Sequence, residues 1–594
     1  MIKRFIGFYC LLTLIFIFPM VLSAASAQQL TVVQPRRDVT TEGSGFNIFG
    51  ASDPEKGLYI NGKPVTNRTE EGFYSIFMPL SLGENIFTLS QEGQRDVVRI
   101  VERRPAALPP HPTMNIAAIT TVFPAVEEYV SVGDTIKFSA TAPVGATVKL
   151  NFRGDIINLA PAHRFPNPRE DGRIYATTFS ASIQIPAIDS TDEIVNLSRP
   201  IYIMEWDGQV FTEIAASIRL INRNAPFYAT VTADTAWTFP NPTIAGGSGW
   251  NLLKGQKAAV RAISGNGGWV KLESGMWIER ENVAVTLEDE VIADALTAGQ
   301  YVKGEFRDRI IWPASLNPAA RVTFDGNVLR IYFAMQRTVP PINLSDIEPD
   351  EMFFSEKAVG IYKGTPYYAF TIRDRVNIEG FYTSFENGEF ALNIRRRRTL
   401  TGGDKPLLGF NFVIDAGHGK QDYGALGPMG TAMAEKHLNL INAQNLAAGL
   451  ENLGAKVTLV RDTDIFFTLQ ERTDISRRVK PDMFISIHAN STAEITDATN
   501  IHGITFWYRN PNSKPLAEHL MTSAYNVNPM TTRNMRANHA NFFVCRPAWT
   551  PSVIVETSFM NNIQDFAWMI REDNQRILAE RLVRAILSYY SKRH

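Results

Sequence analysis

Short apolar runs separated by turn residues fill the first two thirds of the chain. Residues 73–77 and 86–89 are strand-like runs of this kind, and residues 57–63 fit a strand that enters an Asn-Gly hairpin turn. Amphipathic helical periodicity is scarce up to Thr399. Because strands without covering helices bury their apolar faces against other strands, we expect small all-β sandwiches or barrels in this region.

The pattern changes after Gly402, where apolar runs alternate with helical stretches. Leu446, Leu450 and Leu453 recur at the spacing of one helix face, and Gly454 follows them in the usual terminating position. The predicted strands are 412–414, 457–460, 483–487, 504–508 and 553–555. This alternation predicts an α/β domain with a mostly parallel sheet.

The sequence predicts a multidomain protein, with N-terminal all-β modules before the α/β domain. A proline-rich stretch at 105–112 is expected to be a stiff linker between the first two modules, which resemble immunoglobulin-like sandwiches. Trp269 and Trp277 lie on consecutive short strands and resemble a bacterial SH3-like barrel, although they also fit as simple core aromatics. The predicted boundaries are 28–104 and 114–223 for the Ig-like modules, 225–285 for the SH3-like barrel, 300–399 for a further β-rich module and 404–594 for the α/β domain.

The first 27 residues have the layout of a secretory signal peptide. Lys3 and Arg4 precede an uncharged apolar run at 5–22, and Ala-Ser-Ala at 25–27 supplies a cleavage signal. The alternative is a retained membrane anchor, since the run is nearly long enough to span a bilayer. Cleavage is the favoured interpretation and predicts an exported protein in the periplasm, the cell wall or the extracellular space.

Charge and cysteine content narrow the chemistry. The net charge of −1 gives no global field to recruit nucleic acid, so no nucleic-acid partner is expected. Only Cys10 and Cys545 are present, which excludes a disulfide scaffold and a cysteine-based zinc site. The basic run at 395–398 is interpreted as a solvated strand end or a domain contact, with an anionic wall polymer as the alternative partner.

Two histidines and a glutamate follow predicted strands of the α/β domain. His418 and His488 come just after strands, and Glu556 directly follows another. Side chains at the carboxyl ends of strands in an open α/β sheet meet in one crevice. Two imidazoles and a carboxylate suit a catalytic zinc ion with one position left for water. Spacing leaves Asp415, Glu435 or Glu556 as the third ligand, and Asp415 is alternatively an orienting partner.

Four sequence blocks of this domain stand in one characteristic order. They are VIDAGHG at 413–419, AEK at 434–436, ISIHAN at 485–490 and PSVIVETSFMN at 551–561. In this the domain resembles the zinc-dependent N-acetylmuramoyl-L-alanine amidases of the amidase-3 family. The resemblance implies that His418, Glu435 and His488 bind zinc and that Glu556 is the catalytic carboxylate. Lys420 stands where glycine is commoner, but no ligand position is lost.

The resemblance also implies a function. We expect an exported peptidoglycan hydrolase that cleaves the amide between N-acetylmuramic acid and L-alanine of the stem peptide, in cell wall remodelling or daughter-cell separation. Arg536 and Asn490 are candidate substrate-binding residues. The N-terminal β modules are expected to contact a wall polymer or an envelope protein. The alternatives are a non-catalytic wall-binding protein and a zinc peptidase with a different bond specificity.

Overall fold

The computed structural model describes residues 29–105, 113–162, 174–222, 225–244, 251–264, 267–362, 364–374, 376–528 and 537–591. The predicted signal peptide, nearly all of the proline-rich linker and Arg536 lie outside these residues. Among the described residues, no helix is both long and apolar enough to cross a membrane.

Residues 31–103 are built from two mostly antiparallel sheets around one apolar cluster that includes Phe46, Ile48 and Leu89. In spatial order, the first sheet contains Thr31–Gln34, Gly45–Ala51 and Phe73–Pro79. The second contains Val39–Thr41, Val97–Arg103, Gly83–Gln91, Leu58–Ile60 and Lys63–Pro64.

The region from 113 to 287 contains three sheets, and the largest of them joins two of the predicted modules. Tyr129 of the second predicted module pairs with Ile263 of the third, so the two are continuous through one sheet. The five-stranded sheet contains Thr113–Met114, Thr120–Phe123, Thr135–Pro143, Ala160–Pro161 and Ile174–Gln184. The four-stranded sheet contains Thr147–Phe152, Asp155–Asn158, Ile201–Trp206 and Gln209–Ile214. The ten-stranded sheet contains Glu128–Val130, Ile194–Ser198, Ile218–Ile221, Phe227–Val231, Thr235–Phe239, Asn251–Leu253, Lys257–Ile263, Trp269–Leu272, Trp277–Glu279 and Val283–Leu287.

Residues 299–396 form two further sheets that pack around Trp312, Phe333 and Phe390. The first sheet contains Gly299–Val302, Arg307–Pro313, Ile342–Asn343, Ile378–Glu386 and Glu389–Arg396. The second contains Ala320–Asp325, Val328–Phe333, Phe354–Tyr362 and Thr365–Ile372. The N-terminal two thirds is therefore β-rich as predicted, while the module boundaries and the Ig-like and SH3-like resemblances stay predictions.

The C-terminal region is a three-layer α/β domain. Its strands are β1 (Asn411–Ala416), β2 (Lys456–Leu459), β3 (Met483–Asn490), β4 (Thr505–Tyr508), β5 (Asn538–His539) and β6 (Ser552–Phe559). Its helices are α1 (Glu435–Asn452), α2 (Leu469–Val479), α3 (Lys514–Ala524), α4 (Ile563–Met569) and α5 (Glu572–Ser591). The spatial order is β2-β1-β3-β6-β4-β5, with β4 antiparallel to β6 and the remaining pairs parallel, so the sheet is mostly parallel.

Helices cover both faces of this sheet, which is why its strands are continuous apolar runs. Phe412 and Ile414 of β1 pack in one cluster with residues of α1, α3 and α5. Val413, between them, points to the opposite face and packs in a cluster with Ile475 of α2.

The β-rich regions pack directly against the α/β domain. Phe73 stacks edge-on against Phe566 of α4 with ring centroids 5.2 Å apart. Trp237 donates from its indole Nε1 to Gln470 Oε1 of α2 at 2.9 Å. The backbone N–H of Phe381 donates to Ala548 O at 2.8 Å. Three β units therefore contact the domain that carries the predicted chemistry.

The basic run at 395–398 is an internal contact in this structure. Arg395 Nη2 lies 2.7 Å from Asp482 Oδ1, and Arg397 Nε lies 2.6 Å from Glu379 Oε1. Both carboxylates are almost fully buried. The domain-contact interpretation of this run is therefore the one that the geometry supports.

Candidate functional site

His418 leaves the end of β1 on a tight turn. Its own φ is +63°, in the left-handed region that non-glycine residues rarely adopt. Gly417 precedes it, and a Cβ on Gly417 would lie only 2.2 Å from Cε1 of His488. Glycine at this position therefore admits the imidazole of His488 from the neighbouring strand β3.

Glu435, the first residue of α1, brings a carboxylate between the two imidazoles. Its Oε1 lies 3.1 Å from Nε2 of His418 and 2.9 Å from Nδ1 of His488. One ligand atom from each of these three residues lies within 4.8 Å of the other two, and no other such group occurs in the part of the chain that the structure describes. Two imidazole nitrogens and one carboxylate oxygen form the donor set of a catalytic zinc site with an open position.

Asp415, one of the alternatives for the third ligand, is engaged elsewhere. It is fully buried, and its two oxygens contact Arg472 Nη1 at 2.5 Å and Ser486 Oγ at 2.7 Å. Arg472 also donates to the carbonyl oxygens of Ala416 and His418, each at 2.9 Å. The Asp415–Arg472 pair therefore fixes the turn that carries His418.

Glu556 of β6 lies beside His488 in the parallel register of β3 and β6. Its Oε2 is buried and has no hydrogen-bond partner among the described residues. Burial, opposed by His488 and reinforced by Glu435, raises the pKa of Glu556 to about 7. A carboxyl group in this state is suited to accept and release a proton near neutral pH.

The charges of the cluster support one another. Burial opposes ionisation of Glu435, but hydrogen bonds from His418 and His488 prevail and hold its pKa well below the usual range. Burial likewise opposes protonation of His488, while Glu435 prevails and raises the pKa of His488 to about 9. The Glu435 carboxylate is thus the shared anionic partner of both rings.

A further set of contacts orients these side chains. Asp422 Oδ2 lies 2.8 Å from Nδ1 of His418, which leaves Nε2 directed at Glu435. Glu435 Oε1 also accepts from Asn439 Nδ2 and from the backbone N–H of Ala489, each at 3.1 Å. Partners of this type fix ring orientation and raise ligand basicity.

The cluster lies in an apolar groove of about 450 Å³. His418, His488 and Glu556 line it together with aromatic and aliphatic side chains. These side chains are Phe466, Phe467, Leu469, Phe542, Phe543, Val544 and Ile554. Asp415, Asp422 and Arg472 are the further polar residues that line the groove.

Comparison with known proteins places this domain in a family. Residues 412–588 match the amidase-3 family model, described as N-acetylmuramoyl-L-alanine amidase. Over 188 residues the chain is 31% identical to the uncharacterized protein YqiI of Bacillus subtilis, covering 32% of this chain and 88% of that protein. The chain belongs to the amidase-3 family.

Other relatives of this amidase-3 chain match the same region. The N-acetylmuramoyl-L-alanine amidase LytC of Bacillus subtilis is 34% identical over 190 residues, which cover 31% of this chain and 36% of LytC. The solved structure of the N-acetylmuramoyl-L-alanine amidase AmiC2 of Nostoc punctiforme is 34% identical, with a TM-score of 0.29, covering 31% of this chain and 98% of that one. Each of these matches covers about a third of this chain.

Of the two candidate substrate-binding residues, only Asn490 is among the described residues of this amidase-3 chain. Its side-chain Oδ1 accepts from the backbone N–H of Ser491 at 2.8 Å, at the end of β3. It is not among the described residues that line the groove. Arg536 lies outside the described residues, so its role stays a prediction.

Asp422 and Arg472 are functional residues that were not predicted from the sequence. Asp422 stands four residues after His418, which is a detectable spacing once the turn at His418 is recognised. Arg472 lies on α2, a mostly polar helix. The sequence indicates this helix only by a capping box, in which Thr468 and Glu471 each accept a hydrogen bond from the other's backbone N–H. That capping box was the available signal for α2.

Proposed function

We propose that this protein is a zinc-dependent amidase that hydrolyses the bond between the lactyl group of N-acetylmuramic acid and L-alanine of the peptidoglycan stem peptide. The observation that carries the proposal is the convergence of His418, Glu435 and His488, with Glu556 beside His488. Family membership supports the bond specificity, since relatives of this region include proteins named N-acetylmuramoyl-L-alanine amidase.

The zinc ligands in this proposal are His418 Nε2, His488 Nδ1 and Glu435. Their donor atoms fit the ion because they lie close together, are partly or fully shielded from solvent and are held by Asp422, Asn439 and backbone N–H groups. When bound, zinc supplies a Lewis acid that polarises the scissile carbonyl and acidifies a water molecule.

Glu556 is the proposed general base and general acid. Its unpartnered, buried Oε2 has no competing hydrogen bond within the described structure, so it is available to a water molecule in the groove. It takes a proton from the attacking water and delivers it to the departing amine of L-alanine. A leaving amine must be protonated, so one carboxyl group with a pKa near neutrality serves both steps.

The position of the β units supports a role in holding the catalytic domain at its substrate. Trp237 contacts Phe543, a groove residue, with ring centroids 5.5 Å apart. Phe73 and Ala51 pack in one cluster with Met433 and Leu438, which flank Glu435 in the sequence. We propose that the chain is exported, that residues 1–27 are removed, and that the docked β units present the groove to the wall.

The test is a digest of purified peptidoglycan by the chain without residues 1–27. The proposal predicts stem peptides that carry a free L-alanine amine, and no such product from the Glu556→Ala variant or from a chelated sample. Cleavage elsewhere in the stem would assign a zinc peptidase instead. Zinc binding without any cleavage would contradict the catalytic proposal and favour a wall-binding protein.

A further inference from the structure

A second cavity, of about 200 Å³, lies at the junction of the β units and the α/β domain. Asn251 and Leu253 contribute to it from the ten-stranded sheet, and Phe381 and Tyr382 contribute from the sheet of residues 299–396. Further strand residues of that β unit also line it, and the α/β domain supplies another part of the wall, which includes Trp549. The lining differs entirely from that of the groove at His418, so the cavity is separate from the proposed active site.

The cavity is strongly cationic. Arg477 of α2, Arg509 and Arg546 all line it, and its described lining contains no aspartate or glutamate. Arg509 donates to Asn541 Oδ1 and Asn510 Oδ1. In contrast, Nε and Nη2 of Arg477 and Nε of Arg546 are buried without a hydrogen-bond partner among the described residues.

These guanidinium groups are poorly compensated. Burial lowers the pKa of Arg477 to about 10, and the charge of Asp474 opposes this shift without cancelling it. Burial and the nearby charge of Arg509 lower the pKa of Arg546 to about 10 as well. Buried charges are normally paired with an opposite charge or hydrogen-bonded, because desolvation without a partner is costly. Among the described residues that line the cavity, no carboxylate pairs with Arg477 or Arg546.

Two aromatic side chains hold the arginines in place, one in the wall of this cavity and one in the wall of the groove at His418. The Arg477 guanidinium stacks 4.1 Å from the ring of Trp549, whose Nε1 donates to Ser476 Oγ at 3.2 Å. Arg546 lies 4.4 Å from the ring of Phe543. The Nδ2 of Asn510 donates to three successive backbone carbonyls of residues 545–547. The cationic groups are therefore preorganised and pay little entropy on binding a ligand.

We propose that this cavity binds a small organic phosphate, whose phosphate oxygens are held by Arg477 and Arg546 and whose organic part lies against the aromatic wall. Guanidinium groups form paired hydrogen bonds with phosphate oxygens, and three cations without a lining carboxylate favour a dianion over a monocarboxylate. A cavity of about 200 Å³ is larger than inorganic phosphate needs, and Phe381, Tyr382 and Trp549 offer apolar contact for the remainder. The proposal is independent of the amidase reaction.

The test is isothermal titration calorimetry of the chain without residues 1–27, using phenyl phosphate, inorganic phosphate and benzoate. We expect one site per chain, with phenyl phosphate bound more tightly than either of the other two. The Arg477→Ala/Arg546→Ala variant should bind phenyl phosphate at least tenfold more weakly. The matched control is Arg478→Ala/Arg581→Ala, which removes two exposed arginines and should bind within twofold of the wild type.

The Arg477→Ala/Arg546→Ala variant could bind weakly because it fails to fold. A second variant, Arg477→Lys/Arg546→Lys, separates the two causes because it keeps both charges but cannot form paired hydrogen bonds with phosphate. It should fold like the wild type and still bind more weakly. Equal affinity of wild type and both double variants, or no binding by the wild type at millimolar phenyl phosphate, would overturn the site. Tighter binding of benzoate would overturn the phosphate class. Equal binding of inorganic phosphate would overturn the organic ligand and assign free phosphate.

Discussion

The buried pair Asp415–Arg472 gives the sharpest prediction about how the site is held. Arg472 is 3% exposed and donates to Asp415 Oδ1 at 2.5 Å and to the carbonyls of Ala416 and His418 at 2.9 Å. Replacing it by methionine keeps most of the volume and removes the charge. Among the described side chains, the fully buried carboxylate of Asp415 would then keep only Ser486 as a hydrogen-bond partner.

Removing one partner of a buried ion pair costs about 3–5 kcal/mol, because an uncompensated charge stays behind. We therefore expect Arg472→Met to destabilise the α/β domain by about 3–5 kcal/mol, a large part of an ordinary domain's stability of about 5–15 kcal/mol. The double variant Asp415→Asn/Arg472→Met removes both charges, so it should recover most of that loss.

Since the chain has several structural units, the assay must report on this domain alone. Hydrogen exchange of β1, followed by mass spectrometry across a urea series, gives the opening free energy of that strand in the whole chain. Arg478→Met, at an exposed position of the same helix, is the matched control and should change it by less than about 0.5 kcal/mol. A loss below about 1 kcal/mol in Arg472→Met, or a double variant no better than the single one, would refute the reasoning.

Three further predictions concern the site and its support. Asp422→Ala frees the ring of His418 and should lower zinc affinity by about 10- to 100-fold, measured by competition with a chromogenic chelator; unchanged affinity would contradict the orienting role. Phe73→Ala, at a side chain 2% exposed, should cost about 3–5 kcal/mol and increase hydrogen exchange in α4, where Phe566 lies; unaltered exchange there would contradict the docked arrangement. Burial opposes ionisation of Glu71, but its contact with Arg571 prevails and lowers the pKa below the ordinary 4.5. The stabilisation from the Glu71–Arg571 pair is therefore present above pH 4.5 and is lost as the pH falls through the lowered pKa of Glu71. Hydrogen exchange in α4, measured from pH 3 to 6, will detect this loss. A Glu71→Gln variant whose exchange changes with pH in the same way as the wild type would contradict the prediction.

The α/β domain was predictable because its chemistry follows its strands. Val413, Phe484 and Ile554 stand within continuous apolar runs, and such runs occur where helices cover both faces of a sheet. The topology of a parallel sheet then brings the ends of β1, β3 and β6 to one edge. His418, His488 and Glu556 follow from that topology alone, without any knowledge of contacts.

The third ligand position could not be derived from spacing. Glu435 begins a helix rather than ending a strand, and its reach to both imidazoles depends on the loop that precedes α1. The family resemblance pointed to Glu435, and the structure brings it together with the two histidines. Asp415 also stands near the end of a predicted strand, as a metal ligand would. Only its contact with Arg472, which is distant in the sequence, shows that Asp415 is engaged elsewhere and that Glu435 is the third member of the cluster.

Contacts between the structural units could not be predicted from the sequence, because they also depend on residues that are far apart along the chain. Phe73 has the same alternating pattern as other strand residues, and nothing local indicates that its partner is Phe566, almost five hundred residues away. The basic run at 395–398 was open to two interpretations, because the buried carboxylates of Asp482 and Glu379 that bind it come from elsewhere in the chain. Long-range pairing of this type needs the folded arrangement.

The most direct test of the central claim compares Glu556→Gln with the wild type on a soluble muramoyl peptide. The account predicts one zinc per chain in both proteins and a rate of release of the L-alanine amine lowered by about 10²- to 10⁴-fold in the variant, because the glutamine cannot carry the proton. A variant that keeps full activity, or one that loses its zinc, would contradict the assignment of Glu556 as the proton carrier beside a His418–Glu435–His488 metal site.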